Sequence, residues 1–576
     1  MNLNERTSGI LLHLSSLPGP HCCGDLGKIA RRFADFLAQA GQKWWQMLPI
    51  NPIDECFSPY SSISAFAGDP LYIDLDDLCE QGLLDPEDIA WGPVGPKNHT
   101  AYHVARDYRS VRWDKAFRRF QANRGGEKYR VAYAGTAYDG ATYEGAVYDG
   151  TVYERFAAEN SWARPYALFC ALAEKYGTQD WVLWPDEAVR HAQPEALRAV
   201  AGELAERIEY HLFLQLVFDV QWQELRRYCN DRGIGLIGDV PIYVSRQSVE
   251  TWSETRLFQI DSHGHLERVA GVPGDSFNPE GQRWNSPLYR WDVHRDDGYA
   301  WWTARLVNTL KHFDAVRLDH FIGFYNYFSM PPENMPKEER EAKLQDPHLT
   351  PEEKAKLLGE WIIVPQDALF EKIRRVLPDS QFIAEDLGVL KEGVIELRNK
   401  FGFPGMNVFQ FGFDFFRGDD PTIHWEPNSV VCTGTHDTPP LSAWLEELLL
   451  DHQLDNRRWN WDAILSMLKS FIGGTEEWKN RFGHEPLPDG RSRDWPGEAP
   501  SFDKKTLIRA MIEMTMHSPG NTAVFPMQDI IAAGPESRMN FPGHAENNWC
   551  WRLDEDDLTD DLANTLAYLT WLYRRK

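Results

Sequence analysis

Positive charge is what this chain has least of. Its 576 residues carry 60 Lys+Arg against 86 Asp+Glu, a formal charge of −26 at pH 7. Such an acid excess excludes a broad nucleic-acid or anionic-membrane surface, because both want a basic patch. No apolar run approaches the roughly 18 residues of a membrane span. The apolar stretch Ile10–Leu12 is too short for a signal peptide, and Glu5 stands where a basic segment would precede it. It reads as a first strand, and the expected location is cytoplasmic. The 8 cysteines are scattered and form no C-x-x-C. That suits a reduced protein better than a disulfide framework or a zinc site. The first strand has no H-x-H, since Leu12-His13-Leu14 holds a single His, and no H-E-x-x-H occurs in the chain. A metal-dependent barrel hydrolase, with His320 and His436 as ligands beside Asp319 and Asp437, is therefore a weak alternative.

Aromatic residues are plentiful, at 13% of the chain with 23 Trp. Most suit a large core, but flat rings also stack on sugars. Short apolar runs recur at Ile10–Leu14, Trp44–Ile50, Ile234–Val240, Ala315–Asp319, Phe382–Glu385, Met406–Phe411, Val430–Cys432 and Thr522–Phe525. Helical patterns such as Ile29–Ala40 and His211–Asn230 lie between many of them. Strands alternating with helices imply a parallel sheet, and eight such strands imply an α/β fold of the (β/α)8 TIM-barrel type. Their spacing is unequal, so extra segments sit on the connections that follow strands, where this fold builds its active face. One barrel over residues 1–576 is expected. Its inserts are a mostly helical subdomain at 54–205 after strand two, a loop subdomain at 245–300 after strand three, a charged helical segment at 330–362 and a helical segment at 440–505 after strand seven.

Two inserts have distinctive composition. Within 129–153 a unit of Tyr, an acid or small residue, Gly and two small residues repeats from Tyr133 to Tyr153. A period of five fits neither helix nor strand, so an irregular loop is expected ahead of an aromatic ladder for glucan. Glu333–Glu360 is rich in Lys and Glu. Thr350-Pro351-Glu352-Glu353 reads as a capping box with Pro at the first helical position, and two charged helices flanking a cleft are expected.

Three strand ends carry chemistry. In Phe313-Asp314-Ala315-Val316-Arg317-Leu318-Asp319-His320, Arg317 and Asp319 share one strand face. An ionised aspartate at the end of a barrel strand suits a glycosidic nucleophile, although a buried salt bridge has the same pattern. Phe382-Ile383-Ala384-Glu385-Asp386-Leu387-Gly388 ends in two acids. One can donate a proton if burial raises its pKa, and Asp386 can cap the following turn. Thr435-His436-Asp437-Thr438-Pro439-Pro440 sets a His-Asp pair after a short strand, with two prolines fixing the chain beyond it. Three acids at three strand ends fit a retaining glycoside mechanism. A non-catalytic glucan-binding protein would explain the tryptophans but not these acids.

The stretches that carry these residues resemble the 4-α-glucanotransferase (amylomaltase, disproportionating enzyme) family, glycoside hydrolase family 77. They include Gly9-Ile-Leu-Leu-His-Leu-Ser-Ser-Leu-Pro-Gly-Pro20, Ser58-Pro59-Tyr60-Ser61, Gly238-Asp239-Val240-Pro241, Gln282-Arg283-Trp284, Arg317-Leu318-Asp319-His320-Phe321, Ala384-Glu385-Asp386-Leu387, Thr435-His436-Asp437-Thr438 and Arg538-Met539-Asn540-Phe541, in family order along the chain. The resemblance implies an α-amylase-like barrel with inserted subdomains and no C-terminal β-sandwich. It implies transfer of α-1,4-glucan segments with retention, with a retaining hydrolase on the same scaffold as the alternative. Asp319 is then similar to the nucleophile, Glu385 to the acid/base and Asp437 to the transition-state stabiliser. Arg317 would orient Asp319, and Asp239 and His436 would bind the sugar at the cleavage point. Tyr60 would stack there, Trp284 would line the acceptor side, and Ser58 and Asp275 join the substrate-binding set. No metal or organic cofactor is implied. The expected partners are maltooligosaccharides, starch or glycogen chains, not nucleic acid or membrane, and the expected state is a monomer or weak homo-oligomer. Departures cluster on the acceptor side. Gly274 and Ser276 stand where the family commonly has Pro and Tyr, Asn285-Ser286 replaces Gly-Asn after Trp284, and Ile322 replaces an Arg.

Overall fold

The computed structural model describes residues 1–93, 95–123, 150–273, 281–332, 342–388, 390–413, 425–453, 464, 467–468, 471, 504–544 and 547–575. Twelve strands are present among them. They are β1 (Thr7–Leu11), β2 (Trp44–Gln46), β3 (Gly235–Val240), β4 (Val269–Val272), β5 (Gln282–Pro287), β6 (Ala315–Leu318), β7 (Asn326–Met330), β8 (Glu360–Ile363), β9 (Phe382–Ala384), β10 (Gly405–Val408), β11 (Ser429–Cys432) and β12 (Thr522–Pro526).

Eight of these form one all-parallel sheet in the order β10-β11-β12-β1-β2-β3-β6-β9. The two ends of that sheet meet where Ala384 N–H donates to Pro404 O at 2.9 Å, so the barrel is nearly closed. Each of the eight apolar runs read from the sequence supplies one of these strands. The strands are buried on both faces except at β10, as parallel barrel strands must be when helices cover the outside. Gly238 on β3 shows how tight the packing is: a Cβ there would meet the Phe313 ring at 2.4 Å.

The covering helices are amphipathic. Lys28–Gln39 turns Ile29, Ala30, Phe33, Phe36 and Leu37 inward at helical spacing. The long helix Ala205–Asp231 leads directly into β3 and packs on Ala163–Tyr176, burying Leu212, Phe213, Leu216 and Val217. Most tryptophans do serve the core. Trp44, Trp45, Trp181, Trp184, Trp222, Trp252, Trp302 and Trp444 are all fully buried.

The remaining strands make a separate antiparallel sheet, β5-β4-β7-β8, with a small core of Val269, Phe328 and Met330. The charged segment does contain a helix, Pro351–Leu358, opened by the Thr350/Glu353 capping box, with Glu353 N–H on Thr350 Oγ1 at 3.2 Å and Thr350 N–H on Glu353 Oε2 at 2.8 Å. A further helical stretch, 342–344, precedes it among the described residues, and the segment closes as strand β8, where Glu360-Trp361-Ile362-Ile363 pairs with β7. The Tyr/Gly repeat lies mostly outside the described residues. Its last unit opens the helix Gly150–Glu159, where Tyr153 is buried against Phe120 at 5.8 Å. Most of 440–505 also lies outside them.

Candidate active site

Register places the first charged residues side by side. Asp239 on β3 is the direct partner of Arg317 on β6, and Leu318 is the partner of Ala384 on β9. Asp319 and Glu385 therefore leave adjacent strands at the same level, one residue beyond the ladder. The strand period turns Arg317 and Asp319 to one face.

Arg317 is the hub. Its Nη1 donates to Asp239 Oδ1 and Oδ2 at 2.9 and 2.7 Å and to Asp319 Oδ1 at 2.8 Å. Its Nη2 lies 3.9 Å from Glu385 Oε2. One buried guanidinium thus serves carboxylates from three strands, a task suited to the forked donor set of arginine. Tyr60 closes the group from the segment after β2, its hydroxyl donating to Asp239 Oδ2 at 2.8 Å. Ser58 shapes the turn beneath Tyr60, its Oγ accepting the Tyr60 amide at 3.3 Å.

Glu385 is held by two main-chain donors, His320 N–H at 2.6 Å on Oε2 and Leu387 N–H at 3.0 Å on Oε1. Burial pushes its carboxyl up to about 7, against the opposing pull of Arg317, with Asp319 raising it further. It therefore keeps its proton close to neutrality. Asp386 does not cap the turn. It points away, taking Arg398 Nη1 at 2.5 Å and the Met406 N–H at 2.9 Å, and so ties β9 to β10.

Asp437 is the most open of the acids, with its side chain 47% exposed. Asn540 Nδ2 donates to its Oδ1 at 2.6 Å, Arg538 Nη2 to its carbonyl at 2.9 Å, and His436 Nε2 stands 3.3 Å from Oδ2. The His436 ring stacks on Tyr60 at 5.0 Å, and Trp549 tilts against both rings at 5.7 Å. On the opposite side Trp284 meets His320 edge-on at 4.9 Å. Burial pulls His320 down to about 4, so its ring is neutral there. Trp284 sits on β5, and the next residue, Asn285, has φ +55°. That left-handed position favours glycine, and Asn tolerates it better than most other residues.

The sequence-derived set Asp239, Arg317, Asp319, Glu385, Tyr60, Ser58, His436, Asp437 and Trp284 thus gathers around the ends of β3, β6, β9 and β11. Asp275 lies outside the described residues. Asn540, Arg538 and Trp549 complete the surroundings of Asp437 without having been assigned there. The Arg538–Phe541 stretch was visible as a motif, but nothing in its spacing from Asp437 gave the contact. Among the described residues, no group of three or more His, Cys, Asp or Glu is gathered as a metal ion would need. No helix among them is long and apolar enough to cross a membrane.

A proton-holding carboxyl and an arginine-bound aspartate at neighbouring barrel-strand ends belong to enzymes that work on glycosidic bonds. Comparison narrows the class. Residues 12–559 match glycoside hydrolase family 77, described as 4-alpha-glucanotransferase, and the chain belongs to that family of enzymes. It is 34% identical over 554 residues to the 4-alpha-glucanotransferase of Aquifex aeolicus and 35% identical over 560 residues to that of Thermus thermophilus. Each comparison covers 96% of both chains. The amylomaltase from Streptococcus agalactiae in complex with acarbose superposes with a TM-score of 0.80 at 29% identity, over 99% of this chain and 100% of that one.

Proposed function

We propose that the chain moves α-1,4-glucan segments by a retaining double displacement, with Asp319 as nucleophile, Glu385 as acid and then base, and Asp437 as the transition-state stabiliser. Asp319 attacks the anomeric carbon while Glu385 protonates the glycosidic oxygen. The C1–O bond breaks, a C1–Asp319 ester forms, and one fragment leaves with a free 4-hydroxyl. An acceptor glucan then offers its own 4-hydroxyl, Glu385 takes that proton, and the Asp319 carboxylate is released. Arg317 orients Asp319, Asp239 and His436 bind the sugar being transferred, and Tyr60 and Trp284 supply flat faces on either side of the bond. Asp275 is kept in the substrate-binding set.

The observation that carries this reading is the shared arginine. Arg317 touches the proposed nucleophile and stands beside an acid whose burial keeps it protonated, which is the division of labour the two steps require. Donors and acceptors are maltooligosaccharides and the chains of starch or glycogen. A neutral polymer needs no electrostatic steering, so the acid excess outside the site serves solubility. Cytoplasmic location and a monomer or weak homo-oligomer complete the proposal.

Incubation with maltotriose tests it. A ladder of longer maltooligosaccharides plus glucose is expected. Glucose and maltose alone would mean a hydrolase. Asp319→Asn should abolish the ladder, and near-wild-type disproportionation by that variant would remove Asp319 from its role.

A further inference from the structure

The short helix Met527–Ile530 follows directly on β12 and faces the loop bearing His436 and Asp437. Within it Asp529 is 2% exposed. Its Oδ2 accepts from Thr433 Oγ1 at 2.6 Å, and its Oδ1 accepts from the Leu441 N–H at 2.7 Å. Thr433 is the first residue beyond β11, and Leu441 is the first of the helix Leu441–Gln453. One carboxylate therefore pins both ends of the loop. Its neighbour Gln528 donates to Ser537 O at 3.2 Å. That bond steadies the segment from which Arg538 and Asn540 reach Asp437. The two supports of Asp437 thus start from consecutive residues of one helix.

We propose that Asp529 is a positioning residue for the transfer reaction: by joining Thr433 to Leu441 it fixes Asp437 and His436 over the sugar undergoing substitution. This rests on Asp437 being the transition-state carboxylate. Asp437 is solvent-exposed and its loop has no regular structure, so its place depends on how the loop ends are held as well as on its bonds to Asn540 and Arg538. A displacement near 1 Å is enough to cost about 10²-fold in rate. Burial pushes the Asp529 carboxyl up to about 6, and no cation faces it among the described residues. The group is held in place by its two donors rather than by an ion pair.

The test is steady-state kinetics on maltotriose for Asp529→Ala, Asp529→Asn, Asp437→Ala and the Asp437→Ala/Asp529→Ala pair. Asp529→Ala should lower kcat by on the order of 10²-fold while KM stays within about threefold, the split expected when a transition-state contact is lost. Asp529→Asn should recover most of kcat, because an amide can still accept from Leu441 N–H and donate to Thr433 Oγ1. The double variant should be no slower than Asp437→Ala alone, because the second change acts through the first. Additive losses, or wild-type kcat in Asp529→Ala with Asp437→Ala impaired, would overturn the positioning role alone. Wild-type kcat in Asp437→Ala would overturn the reading beneath it. If Asp529→Ala fails to fold, Thr433→Val removes only one of the two bonds. A drop in kcat at unchanged Tm supports the proposal, and wild-type kcat overturns it.

Discussion

Replacing Glu385 with Gln separates the catalytic claim from the electrostatic one. The carboxyl is raised from 4.5 to about 7, chiefly by burial. Between those values the folded protein holds a proton that the unfolded chain has lost. Stability must therefore fall as pH rises from 4.5 towards 7 and level off above it. At 1.36 kcal/mol per unit, the penalty reaches about 3 kcal/mol by pH 8. Glutamine does not titrate and escapes it. It has a single carbonyl oxygen for the two amides of His320 and Leu387, a cost of about 1–3 kcal/mol that is the same at every pH. Unfolding entropy of ~2.1 cal/mol/K per residue over 576 residues gives about 1.2 kcal/mol/K, so 3 kcal/mol moves Tm by roughly 2–3 °C. The difference in Tm between Glu385→Gln and wild type, measured by scanning calorimetry at pH 5 and pH 8, should shift in favour of the variant by about that amount. Transfer activity should fall by about 10²–10⁴-fold. A Tm difference that stays constant with pH, or moves the other way, refutes the raised carboxyl even if activity is lost.

Other substitutions probe the rest of the site. Arg317→Lys keeps the charge but shortens the arm that brings Nη1 to Asp239 and Asp319 and removes the second nitrogen beside Glu385, so kcat/KM on maltotriose should drop by about 10²-fold; a loss under threefold would argue against the hub. Trp284→Ala opens the wall beside His320 and lets water compete with the acceptor. The ratio of elongated products to free glucose should fall by about tenfold, the scale of one lost aromatic contact, as read by chromatography of the maltotriose digest.

The barrel was legible because each strand is a compact apolar run between polar turns. Its edges were less so. β1 begins at Thr7 rather than Ile10, because the polar Thr7 is buried and satisfied within 3.1 Å of Thr522 Oγ1 on β12. The segment after Leu11 then turns into a short 3-10 helix at Leu14–Ser16. The antiparallel sheet was invisible. Gln282-Arg-Trp-Asn-Ser-Pro287 has no alternation, since much of it is only half buried. The site acids could be read because alternation and strand ends locate them. Asp529 could not, because its value lies in reaching two residues 96 and 88 positions away along the chain.

The antiparallel sheet has a mechanical consequence. β7 starts a few residues after Asp319 and His320, and β5, with Trp284, is joined to it through β4. The connection that follows the proposed nucleophile thus runs into the same hydrogen-bonded plate that carries the ring proposed for the acceptor side. If the proposed roles hold, the gap for an incoming sugar is set like the jaw of a fixed-span calliper. Acceptor choice in this scaffold should shift by exchanging side chains on the plate's face, while lengthening the loops at its rim leaves the span unchanged.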